Sequence, residues 1–267
     1  MNRCALSVQN LTVSSQRSGQ AITVVDRVSF DLREGEVLAI MGASGCGKTK
    51  TAEAVMRLLP RSGWSVHADA IELDGSNLAG LNEAGMRRVR GRQMSMIFQE
   101  PLTALDPVFT VGNQLGSVFR RHRGQTRKEA RRSAAAILGD VGFADTTHIM
   151  HSYPHQLSGG MRQRVMIAMA MACRPRVLIA DEPTTALDVT TQAQVLGQLT
   201  GLGQERGTSI LLITHDPGIV AQYCDRAVVM LEGRVVEEAT VPDLFARPRH
   251  AYTRGLLATA PRSGSSA

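Results

Sequence analysis

Eight consecutive residues, Gly42-Ala-Ser-Gly-Cys-Gly-Lys-Thr49, have the types and spacing needed to hold a polyphosphate. At Gly42, Gly45 and Gly47 the missing side chains let backbone N–H groups curl around phosphate oxygens. The run follows an apolar stretch, 36–41, that reads as a buried strand, and it opens a helix whose N-terminal dipole also favours an anion. Lys48 is expected to reach the β- and γ-phosphates of a nucleotide, and the Thr49 hydroxyl to bind Mg²⁺. Ser44, Cys46 and Lys50 complete the candidate cofactor contacts of the loop. Lys50 is a second cation in the first helical turn, which opposes the dipole unless it faces a phosphate. Cys46, beside Lys48 and near the helix N-terminus, is expected to have a lowered thiol pKa.

Two further groups of residues bear on the same chemistry. Val177-Leu-Ile-Ala-Asp-Glu182 is an apolar strand ending in two carboxylates. Asp181 at the strand end can hold the Mg²⁺ shell, which leaves Glu182 to polarise an attacking water. The carboxyl end of a parallel strand is the edge where such sheets bind ligands. Leu157-Ser-Gly-Gly-Met161 stands just before another helix, so Ser158, Gly159 and Gly160 form a second anion-binding N-terminus. That N-terminus cannot serve the phosphates held by Lys48 unless two subunits face each other.

The elements that must position these residues alternate. Residues 5–13, 24–32 and 70–73 read as strands in the first quarter, and a helix over 49–59 stops at Pro60. From 101 to 153 the strand signal disappears, and Thr126-Arg-Lys-Glu129 is a capping box opening a helix that Gly139 closes. A helix over 160–173, strand 177–180, helix 189–199 and strands 209–213 and 227–230 follow. Strands alternating with helices give an α/β fold with a parallel sheet covered on both faces. The expected division is a core from 1–99 and 156–240, a helical insertion over 100–155, and a tail over 241–267 that ends disordered at 262–267.

Composition narrows the function classes. The 267 residues are 43% hydrophobic and 20% charged, as in an ordinary globular protein. Apolar stretches are too short to span a bilayer, and the N-terminus has no signal core. The four cysteines are scattered without metal-ligand spacing. Pro154 between His151 and His155 prevents the helical i, i+4 geometry of a metal pair. Arginines cluster at 87–92 and 120–123 within a net charge of +6, but only Phe119 lies beside them, so the aromatic platform of a single-strand nucleic-acid binder is missing. A solvated face, or one turned to anionic lipid headgroups, fits the clusters better, and no nucleic-acid partner is expected.

The order of these motifs resembles the ABC ATPase family, from about residue 5 to 257. The resemblance implies a P-loop NTPase fold with a RecA-like parallel core, an N-terminal antiparallel β-subdomain and an inserted α-helical subdomain. It also implies that the Leu-Ser-Gly-Gly signature of one subunit caps the γ-phosphate held by the P-loop of another. Gln99 in Phe-Gln-Glu-Pro then corresponds to the Q-loop residue, catalytic and metal-binding; Asp188 in Thr-Ala-Leu-Asp to the D-loop; and His215 in Thr-His-Asp to the switch histidine. Tyr-Pro-His-Gln-Leu-Ser-Gly-Gly-Met-Arg-Gln-Arg-Val and the late His250-Ala-Tyr-Thr-Arg254 resemble the ATPases of peptide and nickel importers. Such a protein binds Mg-ATP and couples its hydrolysis to uptake. Its partners are a second ATPase (the same or different), two integral-membrane permeases and an extracytoplasmic substrate-binding protein, and it sits peripherally on the cytoplasmic face of the inner membrane. The cysteine-bearing tail of many peptide-type relatives is missing, which leans toward the shorter nickel or metallophore-type members. No aromatic residue precedes Phe30 to stack on adenine, and Val24 is the apolar substitute. That gap, with Lys50, keeps open a catalytically weak regulatory subunit. A DNA-handling ABC ATPase fits less well, since the insertion has neither heptads nor paired cysteines.

Overall fold

The computed structural model describes residues 3–17, 20–60, 62–99, 104–185 and 187–258. Its elements in chain order begin with strands β1 (Cys4–Arg17), β2 (Gln20–Arg33) and β3 (Val37–Met41), then helix α1 (Lys48–Val55). Strands β4 (Trp64–His67), β5 (Ala70–Leu73) and β6 (Ser76–Asn77), helix α2 (Glu83–Val89) and strand β7 (Met94–Ile97) follow. Helices α3 (Val111–Arg123), α4 (Arg127–Asp140), α5 (Thr146–His151) and α6 (Gly159–Met171) come before strand β8 (Val177–Asp181) and helix α7 (Val189–Arg206). The chain continues with β9 (Ser209–Thr214), α8 (Pro217–Tyr223), β10 (Arg226–Leu231), β11 (Arg234–Thr240), α9 (Val241–Ala246) and α10 (Ala251–Ala258). It divides into two compact units, residues 1–86 with 209–267, and residues 87–208.

The first unit holds an antiparallel sheet in the order β2-β1-β5-β6, with β4 also on β1. In β2 the buried Val28, Phe30 and Leu32 alternate with exposed Ser29, Asp31 and Arg33, the period-two pattern of a sheet with one covered face. The same unit holds the parallel run β10-β3-β9, closed on one side by antiparallel β11. All five residues of β3 are buried, which explains its unbroken apolar sequence. Where β3 and β10 begin, Arg226 donates to Glu36 at 2.7 Å and also pairs with Glu238. Removing one member of such a buried pair leaves an uncompensated charge, at a cost of about 3–5 kcal/mol.

In the second unit β7 and β8 pair in parallel, Ile97 opposite Ala180. Its helices open with side-chain caps: Thr110 on α3, Thr126 with Glu129 as a reciprocal capping box on α4, Asp145 on α5, Ser158 on α6 and Asp188 on α7. Among the described residues, three helices, α3 to α5, lie between β7 and the signature, where the sequence made only one explicit.

Several boundaries differ from expectation. Helix α1 stops at Val55 rather than 59, because Arg57 turns left-handed with φ 52° before Pro60 is reached. Gly139 lies inside α4, and the left-handed turn falls to Gly142, φ 83°. The tail 262–267, residues 100–103 after Gln99, and Ala186 before Asp188 lie outside the described residues. No helix among the described residues is long and apolar enough to cross a membrane.

Candidate active site

In the first unit the phosphate-type loop leaves the carboxyl end of β3, and His215 leaves the carboxyl end of β9 beside it, with Met41 opposite Thr214. The loop's glycines are required by its surroundings. A Cβ on Gly42 would overlap the Met230 carbonyl oxygen of β10 and lie 2.8 Å from Cys46 Sγ. Gly47 has φ 104°, and a Cβ there would come within 2.8 Å of the Val24 carbonyl oxygen. Gly45 has φ 81° with open space around it, so it is the backbone angle that asks for glycine.

Lys48 is 5% exposed, and its Nζ donates to the carbonyl oxygens of Gly42 (2.8 Å) and Ala43 (3.0 Å). The ammonium is thus held against the loop itself. Thr49 and Ser44 stand in the same loop and helix start, and the Thr51 hydroxyl bonds back to the Gly47 carbonyl at 3.0 Å.

Two side chains at the loop and helix start have surroundings that local sequence does not show. Lys50 Nζ pairs with Glu53 at 2.5 Å and stands 5.1 Å over the Trp64 ring of β4. A carboxylate and an aromatic face one turn away satisfy the cation that the dipole disfavours. Cys46 is buried, and burial pushes its thiol pKa up, outweighing the nearby Lys48 ammonium and the backbone N–H groups. The expected activated thiol is absent because burial beside Gly42 disfavours the thiolate.

In the second unit the chemistry collects at the carboxyl ends of β7 and β8. Asp181 closes β8 at 2% exposure, and Glu182 follows with φ 44°, a left-handed turn that costs a non-glycine residue of order 1–2 kcal/mol. Gln99, two residues beyond β7, donates its side-chain N–H to Glu182 Oε2 at 3.2 Å. The Thr185 hydroxyl donates to the same oxygen at 3.1 Å, so the Glu182 carboxylate is oriented from two sides. The Gln99 partner came from the family resemblance; Thr185 was missed, although a hydroxyl three residues after a turn residue is an ordinary local donor.

The signature and Asp188 meet in this unit too. Ser158 caps α6 by accepting the Met161 N–H at 3.3 Å, and the Leu157 carbonyl takes Arg162 Nε at 3.0 Å. Asp188 caps α7, accepting the Thr191 N–H (3.0 Å) and hydroxyl (2.7 Å). The hydroxyl bond from Thr191 is the main reason its carboxyl is held below the ordinary aspartate value. Gly160 is packed so closely on Thr191 Cγ2 that a Cβ would overlap it, and a Cβ on Gly159 would lie 3.3 Å from Leu187. The start of α6 and the cap of α7 are therefore one packed unit.

The family model described as ABC transporter matches residues 25–185, from the second strand through the loop, Gln99, the signature and Glu182. The chain belongs to the ABC transporter family. It is 50% identical over 265 residues to the glutathione import ATP-binding protein GsiA of Escherichia coli (strain K12), covering 97% of this chain but only 42% of that protein's length. It is 50% identical to the oligopeptide transport ATP-binding protein AppD of Bacillus subtilis (strain 168), covering 96% of this chain and 78% of the relative. The dipeptide transport ATP-binding protein DppD of the same organism is 49% identical, with 96% and 77% covered. Among solved structures, the ATP-binding cassette MJ0796 in a dimeric post-hydrolysis state bound to ADP and Pi matches at TM-score 0.77 and 27% identity, covering 88% of this chain and 98% of that one. The fold of this ABC family chain is accordingly the mixed α/β cassette, with an antiparallel sheet and a parallel one.

Proposed function

We propose that this chain is the ATP-binding and ATP-hydrolysing subunit of an importer for peptides. The observation that carries the reading is Glu182, a carboxylate at a parallel strand end whose one oxygen accepts from both Gln99 and Thr185. A carboxylate so oriented can take a proton from water as it attacks a γ-phosphate. The glycines at 42, 45 and 47 clear the backbone for phosphate oxygens, and Lys48, released from the loop carbonyls, pairs with the β- and γ-phosphates. Asp181, the Thr49 hydroxyl and the side-chain oxygen of Gln99 are hard oxygen donors of the kind Mg²⁺ takes, and these are the residues that would hold it. The ion supplies charge neutralisation on the phosphate oxygens when bound. His215 stands ready to contact the γ-phosphate, and Ser158, Gly159, Gly160 and Asp188 act on nucleotide held by a second ATPase subunit.

Peptides are favoured as cargo because the relatives named above are glutathione, oligopeptide and dipeptide import ATP-binding proteins. Nucleotide-driven closing and opening would move two permeases that dock beside the Gln99 segment, where Phe98, Val108 and Phe109 are exposed at 45%, 70% and 52%. On this reading the chain sits peripherally on the cytoplasmic membrane face and works with a substrate-binding protein outside. Lys50 bound to Glu53 removes one reason to consider a catalytically weak subunit. The test is reconstitution of this chain with its partner ATPase and permeases in liposomes. ATP hydrolysis should rise when the binding protein arrives loaded with a di- or tripeptide, and labelled peptide should enter. Stimulation by a nickel chelate but no peptide would overturn the cargo, and no stimulation by either would overturn the importer.

A further inference from the structure

The phosphate loop is clamped from outside its own segment. The turn between β10 and β11 supplies one contact, Gly233 N–H donating to the Cys46 carbonyl at 3.0 Å. The last described helix supplies the other. Tyr252 of α10 accepts the Ala43 N–H on its hydroxyl oxygen at 2.8 Å, across 209 positions of sequence. Ala43 lies in the first turn of the loop, between Gly42, fixed against Met230, and the glycines that open toward phosphate. Its carbonyl is one of the two that hold Lys48 Nζ. The same peptide segment is therefore gripped by Tyr252 on one side and bears on the lysine from the other.

The hydroxyl is positioned by a built support. Glu237 of β11, 8% exposed, accepts the N–H groups of Arg249 (2.7 Å) and His250 (2.9 Å), fixing the chain just before α10. His250 Nδ1 then accepts the Tyr252 N–H at 3.2 Å. The Tyr252 ring, with Leu256 and Leu257, packs on the cluster of Met41, Val229, Val241 and Leu244 that lies under β3 and β10. So α10 is docked on the strand that carries the loop, and its tyrosine reaches around the strand end.

We propose that Tyr252 is a positioning residue for nucleotide binding: its hydroxyl, by accepting the Ala43 N–H, holds the phosphate loop in its open-cradle backbone. This rests on the reading of the loop as an ATP site. A hydroxyl removed with its ring retained isolates the contact, because the packing on the cluster stays while the Ala43 N–H loses its acceptor.

The experiment compares wild type, Tyr252→Phe and Leu257→Ala, the last touching the cluster but not the loop. Mg-ATP affinity, thermal midpoint without nucleotide, and amide exchange of the 42–47 segment without nucleotide are measured on each. Tyr252→Phe should weaken Mg-ATP binding about three- to tenfold, the size of one hydrogen bond, and speed exchange across the loop. Leu257→Ala should lower the midpoint at least as much yet keep wild-type affinity. Equal affinity and exchange in Tyr252→Phe and wild type would overturn the proposal. So would affinity losses in both variants that simply track the fall in midpoint. If wild type itself fails to bind Mg-ATP, the nucleotide reading falls, and the exchange comparison still decides whether Tyr252 holds the loop.

Discussion

Gly160→Ala should not stabilise a helix start where alanine would ordinarily help. Replacing glycine by alanine in a helix gains up to about 1 kcal/mol in intrinsic preference. Here the new Cβ would sit closer than 3.0 Å to Thr191 Cγ2. Thr191 cannot simply rotate away, because its hydroxyl is bonded to Asp188 at 2.7 Å while its N–H takes the other carboxylate oxygen. If the backbones of α6 and α7 move apart, overpacking costs about 1–3 kcal/mol. If Thr191 turns instead, the hydroxyl bond is lost at about 1 kcal/mol. After the propensity gain is set against each cost, separating the helices leaves a net loss of up to about 2 kcal/mol, whereas turning Thr191 leaves the change near zero. The assay is urea unfolding followed by far-UV circular dichroism, which reads the helices directly. It is run at neutral pH, where Asp188, held below the usual carboxylate range, is ionised and its cap complete; the cap contributes above the unfolded pKa and is lost as pH falls through the lower folded one. Thr191→Ser removes the clashing methyl and keeps the hydroxyl, so Gly160→Ala with Thr191→Ser should recover to within about 0.5 kcal/mol of Thr191→Ser alone. A stabilising Gly160→Ala, or no recovery in the double variant, would refute the packing argument.

Cys46, with its thiol pKa pushed up by burial, should react with iodoacetamide more slowly than a free cysteine at neutral pH, its rate climbing only at alkaline pH; fast modification near pH 7 would show an accessible thiolate. Lys50→Ala should leave Mg-ATP affinity within about twofold while losing about 0.5–1 kcal/mol of stability from its partly exposed pair and ring contact; a tenfold loss of affinity would return Lys50 to the phosphates. Ser158→Arg should cripple hydrolysis at the partner's P-loop more than at this chain's own, measured in complexes whose other P-loop lysine is removed. Equal loss at both sites would sink the trans arrangement.

The elements that position chemistry were legible where the sequence is extreme. Strands β3, β8 and β9 are buried on both faces, so they show as unbroken apolar runs, and each ends at the residue where a candidate group begins. The glycine loop was legible because backbone clearance leaves no other residue possible at 42 and 47. Strand β7 was not: Met94-Ser-Met-Ile97 is short and carries no alternation. Strand β11 hid because Glu237, a residue that reads as exposed, is buried to anchor the chain before α10. The thiol of Cys46 was misjudged because local sequence shows Lys48 and a helix start but not the burial of the sulfur beside Gly42. Tyr252 is legible as a family mark only; its bond to Ala43 joins residues that no periodicity connects.

The central claim is that Glu182 polarises the water while the glycine loop and Lys48 bind the nucleotide. Its most direct test is phosphate release at saturating Mg-ATP by Glu182→Gln in the assembled transporter, with ATP binding measured on the same preparation. The account predicts binding at wild-type affinity, a turnover at least about a hundredfold lower, and accumulation of an ATP-loaded closed dimer. Turnover near the wild-type rate in that variant, with ATP bound, would contradict it.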